Sequence, residues 1–203
     1  MNSKARIAVL VSGGGTNLQA LIDAEKNGII QNGRIVLVIS NNQNAYALER
    51  ARSNGIKEKV LLKKQLGGQE AFEQAIIEEL NENKIDLVVL AGFMAILSEN
   101  FTKQFDKRII NVHPSLIPSF CGKGYYGLKV HEEALKKGVF VTGATVHFVN
   151  EIPDGGEIIM QKAVYIEDGD TPEILQKRVM REAEWIILPQ SVQKIAKSIK
   201  ETK

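Results

Sequence analysis

Asn111, His113 and Pro114 fall within four positions of one another where an apolar stretch runs out, in "RIINVHPSLIPSF" (108–120). A carboxamide can donate to a carbonyl oxygen as it becomes an oxyanion. An imidazole titrating near neutrality can take a proton from an amine or hand one to a leaving group. The pair lacks a carboxylate to orient the ring. Asp154, in "IPDGG", is the best candidate, since a turn with two glycines at its tip can bring a carboxylate to a sheet edge. A carboxylate there would raise the His113 pKa above its isolated value. Each residue also has a bland reading: a lone histidine is commonly structural, and an aspartate before two glycines commonly serves the turn.

A second cluster lies near the start. "VLVSGGGTNLQALI" sets Ser12, Gly13, Gly14, Gly15, Thr16 and Asn17 between a strand pattern and a helix pattern. Backbone amides at such a helix start, helped by the helix dipole, make an anion site, to which Thr16 and Asn17 would add side-chain donors. The bland reading is a tight turn capped by Ser12 or Thr16. A dinucleotide fingerprint would need glycine where Leu18 stands and an acidic residue where "SNNQN" stands, and the Walker pattern is absent. NAD and ATP are therefore disfavoured, leaving a phosphorylated sugar or a similar monoester.

Other reactive side chains carry less. His131 lies on a predicted helix and His147 in a strand pattern, which reads as packing or surface. The spacing of the three histidines matches no metal-ligand pattern, so no metal is expected. Cys121 is the only cysteine, which excludes an intrachain disulfide and a thiolate cage, and Ser115 lacks the elbow of a nucleophilic serine.

These groups need a scaffold. The apolar runs "ARIAVLV" (5–11), "RIVLVIS" (34–40), "KVLL" (59–62), "IDLVVLA" (85–91) and "RIINV" (108–112) are continuous rather than alternating, as in strands buried on both faces of a parallel sheet. Helical patterns separate them, so the reading is a doubly wound α/β domain whose ligand crevice opens beyond the carboxyl ends of the strands. After about residue 113 the rhythm changes. The loop "SFCGKGYYG" leads to a helix near 128–137, an antiparallel pair "VFVTGATVHFV" and "GEIIMQKAVYI", and a long amphipathic helix over about 171–199.

The 203 residues, 44% hydrophobic and 25% charged, suit one globular domain. With 26 basic and 24 acidic residues and no long basic block, nucleic acid and membrane surfaces are not expected partners, though small anions are. No apolar run approaches a bilayer span and no signal-peptide pattern opens the chain, so the expected location is cytoplasmic.

Five segments together carry a resemblance: "VLVSGGGTNLQALI", "LVVLAGFMAILS", "RIINVHPSLIPSF", "GATVHFVNEIPDGGEII" and "RVMREAEWIILP". Over about residues 5–190 the chain resembles the phosphoribosylglycinamide formyltransferases, folate-dependent enzymes of purine synthesis. The resemblance implies formyl transfer from 10-formyltetrahydrofolate to the amine of glycinamide ribonucleotide, without metal, ATP or covalent intermediate. It implies Asn111, His113 and Asp154 as catalytic. Gly15, Thr16 and Asn17 would hold the substrate phosphate, and Glu184 the glycinamide part. Met94, Ala95, Ile96 and Leu97 would line the folate site, with Asn111 shared. The implied architecture is a single formyltransferase domain over 1–203, with a mostly parallel phosphate-binding half to about 110 and an antiparallel extension from about 111 carrying the catalytic and folate sites. Two departures stand out: the family often has arginine where Ala95 stands and another near Gln69, both toward the glutamate end of folate. The related tRNA formyltransferase and formyltetrahydrofolate hydrolase branches are the nearest alternatives. Each usually carries a further domain for which this chain leaves no room. A noncatalytic phosphate- or folate-sensing module is the alternative of another class. Nothing in the sequence indicates the oligomeric state.

Overall fold

Seven strands form one sheet: β1 (Ala5–Val11), β2 (Gly33–Ser40), β3 (Lys57–Val60), β4 (Leu87–Leu90), β5 (Ile109–His113), β6 (Val141–Phe148) and β7 (Ile158–Tyr165), in the order β3-β2-β1-β4-β5-β6-β7. The structure is a computed structural model describing residues 4–202. Strands β1 to β5 pair in parallel, and β6 and β7 add antiparallel to β5 and to each other. The helices are α1 (Thr16–Lys26), α2 (Tyr46–Ser53), α3 (Lys63–Leu66), α4 (Gln69–Glu82), α5 (Glu99–Gln104), α6 (Leu128–Lys137), α7 (Pro172–Val179) and α8 (Trp185–Glu201).

The doubly wound reading holds because β1, β2 and β4 are apolar on both faces. Ile7, Val9 and Val11 of β1 point into a layer filled by Leu18 and Leu21 of α1, Leu48 of α2 and Leu188 and Val192 of α8. Ala8 and Leu10 point the other way, against Phe72 and Ile76 of α4 and Phe101 of α5. Burying side chains of this size stabilises by roughly 1.5–3 kcal/mol each. Among the described residues no helix is long and apolar enough to cross a membrane.

The same two-residue period sets up the chemistry. On β5, Ile110 and Val112 fill the first layer and Ile109 the second, so Asn111 and His113 share Ile109's face. On β6, Ala144 and Val146 fill the first layer, which turns Thr145 and His147 to the face of Asn111 and His113. The antiparallel register sets Asn111 opposite His147 and His113 opposite Thr145.

Two expectations shift. The third strand is Lys57–Val60, polar and two residues earlier than "KVLL", because it is the sheet edge and pairs only with β2. The long C-terminal helix is interrupted: a π turn, Met180–Glu184, separates α7 from α8, and Pro189 lies within α8 without an amide to donate. Before it, Arg178 donates to both carboxylate oxygens of Asp170 and to the Tyr165 carbonyl, tying α7 to the end of β7.

Candidate active site

A cavity of about 960 Å³ opens at the carboxyl ends of β1, β4 and β5. It takes in the glycine loop, Met94, Asn111, His113, Asp154 and Glu184. This is where an open α/β sheet presents ligands.

His113 is 4% exposed. Its Nε2–H donates to the Phe120 carbonyl at 2.8 Å, a tautomer assigned from the bonding network, and its Nδ1 lies 3.4 Å from Asp154 Oδ2. Thr145, facing it across the strand pair, holds the chain that leaves β5: its hydroxyl donates to the Ser115 carbonyl and accepts from the Ile117 amide. That exit folds into a turn, with the Ser119 amide on the Leu116 carbonyl, rather than running extended.

Asp154 reaches the site from the β6–β7 connection. It takes a left-handed backbone, φ 56°, and a side chain at Gly156 would overlap the Phe148 carbonyl, so this glycine is needed for the turn to close. One carboxylate oxygen faces His113; the other lies 3.5 Å from His147 Nε2. The Gly122 amide donates to Asp154 at 2.8 Å, so the loop over 119–127 holds both His113, through Phe120, and Asp154.

Asp154 does raise the His113 pKa, as expected, but not above the isolated value. Burial is the largest influence and pushes it down. Asp154 and the Phe120 carbonyl push it up and His147 pushes it down, leaving it below the ordinary value. For Asp154, burial is again the largest single influence and pushes the pKa up, but His147, His113 and the Gly122 amide together outweigh it and leave the carboxyl below its ordinary value. The resting pair is therefore a neutral imidazole beside a carboxylate.

His147 corrects the packing-or-surface reading. It is 2% exposed, its Nδ1–H donates to the Phe148 carbonyl at 2.7 Å, and its Nε2 faces Asn111 Nδ2 at 3.2 Å. The missed signal was register: only the pairing of β5 with β6 brings His147 opposite Asn111. His131 is fully buried, as expected for packing, but its ring also lines the cavity. Burial, then His113, lowers its pKa to about 4.

The glycine loop enters α1 through Gly15, at φ 71°, where a side chain would collide with Ala47. No side chain caps the helix: Ser12 instead accepts from the Met94 amide at 2.8 Å, linking the loop to the segment after β4. Thr16 is partly buried at the cavity. The Asn17 side chain has one donor hydrogen already committed. Its Nδ2 bonds Glu184 Oε2 at 2.7 Å, and its Oδ1 is buried without a partner. Glu184, at the end of the π turn, is buried, and burial, opposed by the Asn17 bond, raises its pKa to about 6.

Of residues 94–97, in the segment after β4, Met94 and Ile96 are exposed, Ala95 is half-buried, and all three line the cavity. Leu97 does not. It packs in the second layer, because Glu73 accepts from the Ser98 amide and hydroxyl and draws the chain inward into α5. Gln69 donates to the Ile96 carbonyl at 2.9 Å. Among the described residues no cluster of three or more His, Cys, Asp or Glu could hold a metal.

The family model described as formyl transferase matches residues 5–192. The chain is 46% identical to the trifunctional purine biosynthetic protein adenosine-3 of Bos taurus, over 95% of this chain but 18% of that protein. It therefore spans only about a fifth of the length of the trifunctional relatives it matches. It is 44% identical to the phosphoribosylglycinamide formyltransferase of Haemophilus influenzae, covering 91% of this chain and 84% of that one. Among solved structures, glycinamide ribonucleotide transformylase 1 of Symbiobacterium toebii superposes with a TM-score of 0.89 at 42% identity, covering 96% of this chain and 89% of that chain.

Proposed function

Because the chain belongs to the phosphoribosylglycinamide formyltransferase family of formyl transferases, we propose that it transfers a formyl group from 10-formyltetrahydrofolate directly to the primary amine of glycinamide ribonucleotide, in de novo purine biosynthesis. The family implies a folate-derived formyl donor; the specific donor, the acceptor and a cytoplasmic setting are part of the proposal. The observation that carries it is the convergence of Asn111, His113 and Asp154 on one cavity with the glycine loop, with His147 against Asn111 and Asp154.

The phosphate sits at the start of α1, against the amides of residues 13–17, where the helix dipole favours an anion. Glu184, held by Asn17, receives the glycinamide end. The exposed apolar side chains of Met94 and Ile96 offer a flat aromatic donor a surface, and their loop supplies backbone polar groups. The two reactants meet beside Asn111.

Asn111 Nδ2 carries two hydrogens. One is held by His147 Nε2, which fixes the amide plane. The other is free to donate to the formyl oxygen as the amine attacks and charge develops there. His113 keeps its Nε2–H on Phe120 and offers Nδ1 to the proton released by the amine. Asp154 stabilises the imidazolium so formed. The new bond joins the amine nitrogen to the formyl carbon, the bond from that carbon to the folate nitrogen breaks, and the proton passes to the departing nitrogen.

In this reading residues 1–203 act as a single domain. The phosphate-binding half runs to about 110, and from about 111 the antiparallel extension supplies the catalytic groups. The test is to mix purified protein with glycinamide ribonucleotide and 10-formyltetrahydrofolate, without ATP, and follow folate absorbance. Turnover that requires both substrates is expected; turnover that proceeds without the ribonucleotide would overturn the assignment.

A further inference from the structure

Three successive carbonyls of the glycine loop are held from one side. Asn42 Nδ2 donates to Ser12 O at 3.1 Å, the Ala47 amide to Gly13 O at 3.1 Å, and Arg50 Nε to Gly14 O at 2.9 Å. All three donors come from the segment joining β2 to α2 and from α2 itself. Each trans peptide points its N–H opposite to the carbonyl it shares. Holding Ser12, Gly13 and Gly14 carbonyls toward α2 therefore turns the amides of Gly13, Gly14 and Gly15 the other way. That is the cavity side: the cavity is lined by residues 12–17, across the loop from Asn42, Ala47 and Arg50.

The brace is itself anchored. Asn42 sits in a turn in which its Oδ1 accepts from the Asn44 amide and its own amide donates to Ser40 Oγ. Arg50 lies over the Tyr46 ring, 5.0 Å from its centre, and also donates to Gln19 of α1. The other side of the loop is open: side chains at Gly13 or Gly14 would meet nothing within 4 Å. Asn17, 8% exposed, lines the same cavity, and its Oδ1 is buried without a partner.

We propose that Asn42 and Arg50 are positioning residues for the substrate phosphate: they hold the glycine-loop carbonyls away from the cavity so that three consecutive amides face the anion. Arg50 acts here through the hydrogen bond from Nε, not chiefly through its charge. The proposal rests on the reading that the glycine loop binds the phosphate.

The test compares affinity for glycinamide ribonucleotide with affinity for its dephosphorylated riboside, by calorimetry, in the wild type and three variants. Arg50→Gln places an amide nitrogen where Nε lies and removes the charge; Arg50→Met removes both. Asn42→Ser keeps the turn acceptor but cannot reach Ser12. Loss of one such bond typically weakens binding about tenfold. The wild type is expected to favour the phosphorylated ligand strongly. Arg50→Met and Asn42→Ser should lose about tenfold of that preference at unchanged riboside affinity, and Arg50→Gln should recover most of it. If Arg50→Met keeps the full preference, or Arg50→Gln falls equally far, the brace is refuted while phosphate binding stands. If the wild type itself shows no preference, the phosphate reading fails and the proposal with it.

Discussion

His147 Nε2 lies 3.2 Å from Asn111 Nδ2 across the antiparallel pairing of β5 and β6, while His147 Nδ1 is committed to the Phe148 carbonyl at 2.7 Å. With Nδ1–H given to that carbonyl, Nε2 is placed to accept from Asn111, so the register of two strands decides which way the carboxamide donates. Asn111→Ala is expected to lower kcat by about 10² to 10³ with little change in substrate affinity, the usual loss of one oxyanion donor. His147→Phe, which keeps the bulk and loses the acceptor, should also lower kcat, by less. Steady-state kinetics of the two variants check this; equal losses in KM instead would assign both residues to binding.

Asp154 opposes the burial that holds the His113 pKa down. Asp154→Asn removes its charge at nearly constant volume, so His113 should titrate at still lower pH, read by NMR of the ring. Turnover should fall by about 10² to 10⁴, the range of general acid–base assistance. Because His113 must be neutral to accept a proton, the acidic limb of the kcat/KM profile that it sets should move to lower pH in the variant. An upward shift would show that the carboxylate does not act on this histidine.

Glu184 carries its own pH signature. Its folded pKa of about 6 exceeds the ordinary 4.5, so the folded chain binds a proton that the unfolded chain has released between those values. Stability therefore falls as pH rises through that window, by roughly 2 kcal/mol, and the penalty is complete above it. Glu184→Gln, which still accepts from Asn17, should match the wild type below pH 4.5 and melt about 4–8 °C higher at pH 8, with weaker glycinamide ribonucleotide binding. Equal melting temperatures at pH 8 would mean that the buried carboxyl is not strained.

Ile96 is 69% exposed, so its removal should barely affect folding. If it forms part of the donor's apolar surface, Ile96→Ala should raise KM for 10-formyltetrahydrofolate by about 3- to 10-fold, the worth of burying such a side chain in part. KM for the ribonucleotide should hold steady. The reverse pattern in initial-rate measurements would move the donor elsewhere in the cavity.

Parallel strands were legible because burial on both faces leaves uninterrupted apolar runs, and Asn111 and His113 because they break such a run at its end. Asp154 was legible as a carboxylate on a tight turn, though its reach to two histidines depends on how β6 and β7 pair. His147 was hidden for the same reason: alternation puts it on a face but does not say which residue lies opposite. The bond from Asn17 to Glu184 was not legible because the two lie far apart along the chain. Leu97 read as cavity lining because nothing in "FMAILS" reveals that Glu73 draws Ser98, and Leu97 with it, into the core. The π turn escaped because its residues keep a helical apolar pattern.

The central claim is direct formyl transfer from folate to the amine at Asn111, His113 and Asp154. Its sharpest test uses a donor labelled with carbon-13 in the formyl group and glycinamide ribonucleotide labelled with nitrogen-15 at the amine, followed by NMR with wild type and Asn111→Ala. The wild type should produce one species whose carbon and nitrogen labels couple through a single bond, at a rate at least about 10² above the variant. Labelled formate without that coupling, or coupled product formed equally fast by Asn111→Ala, would contradict it.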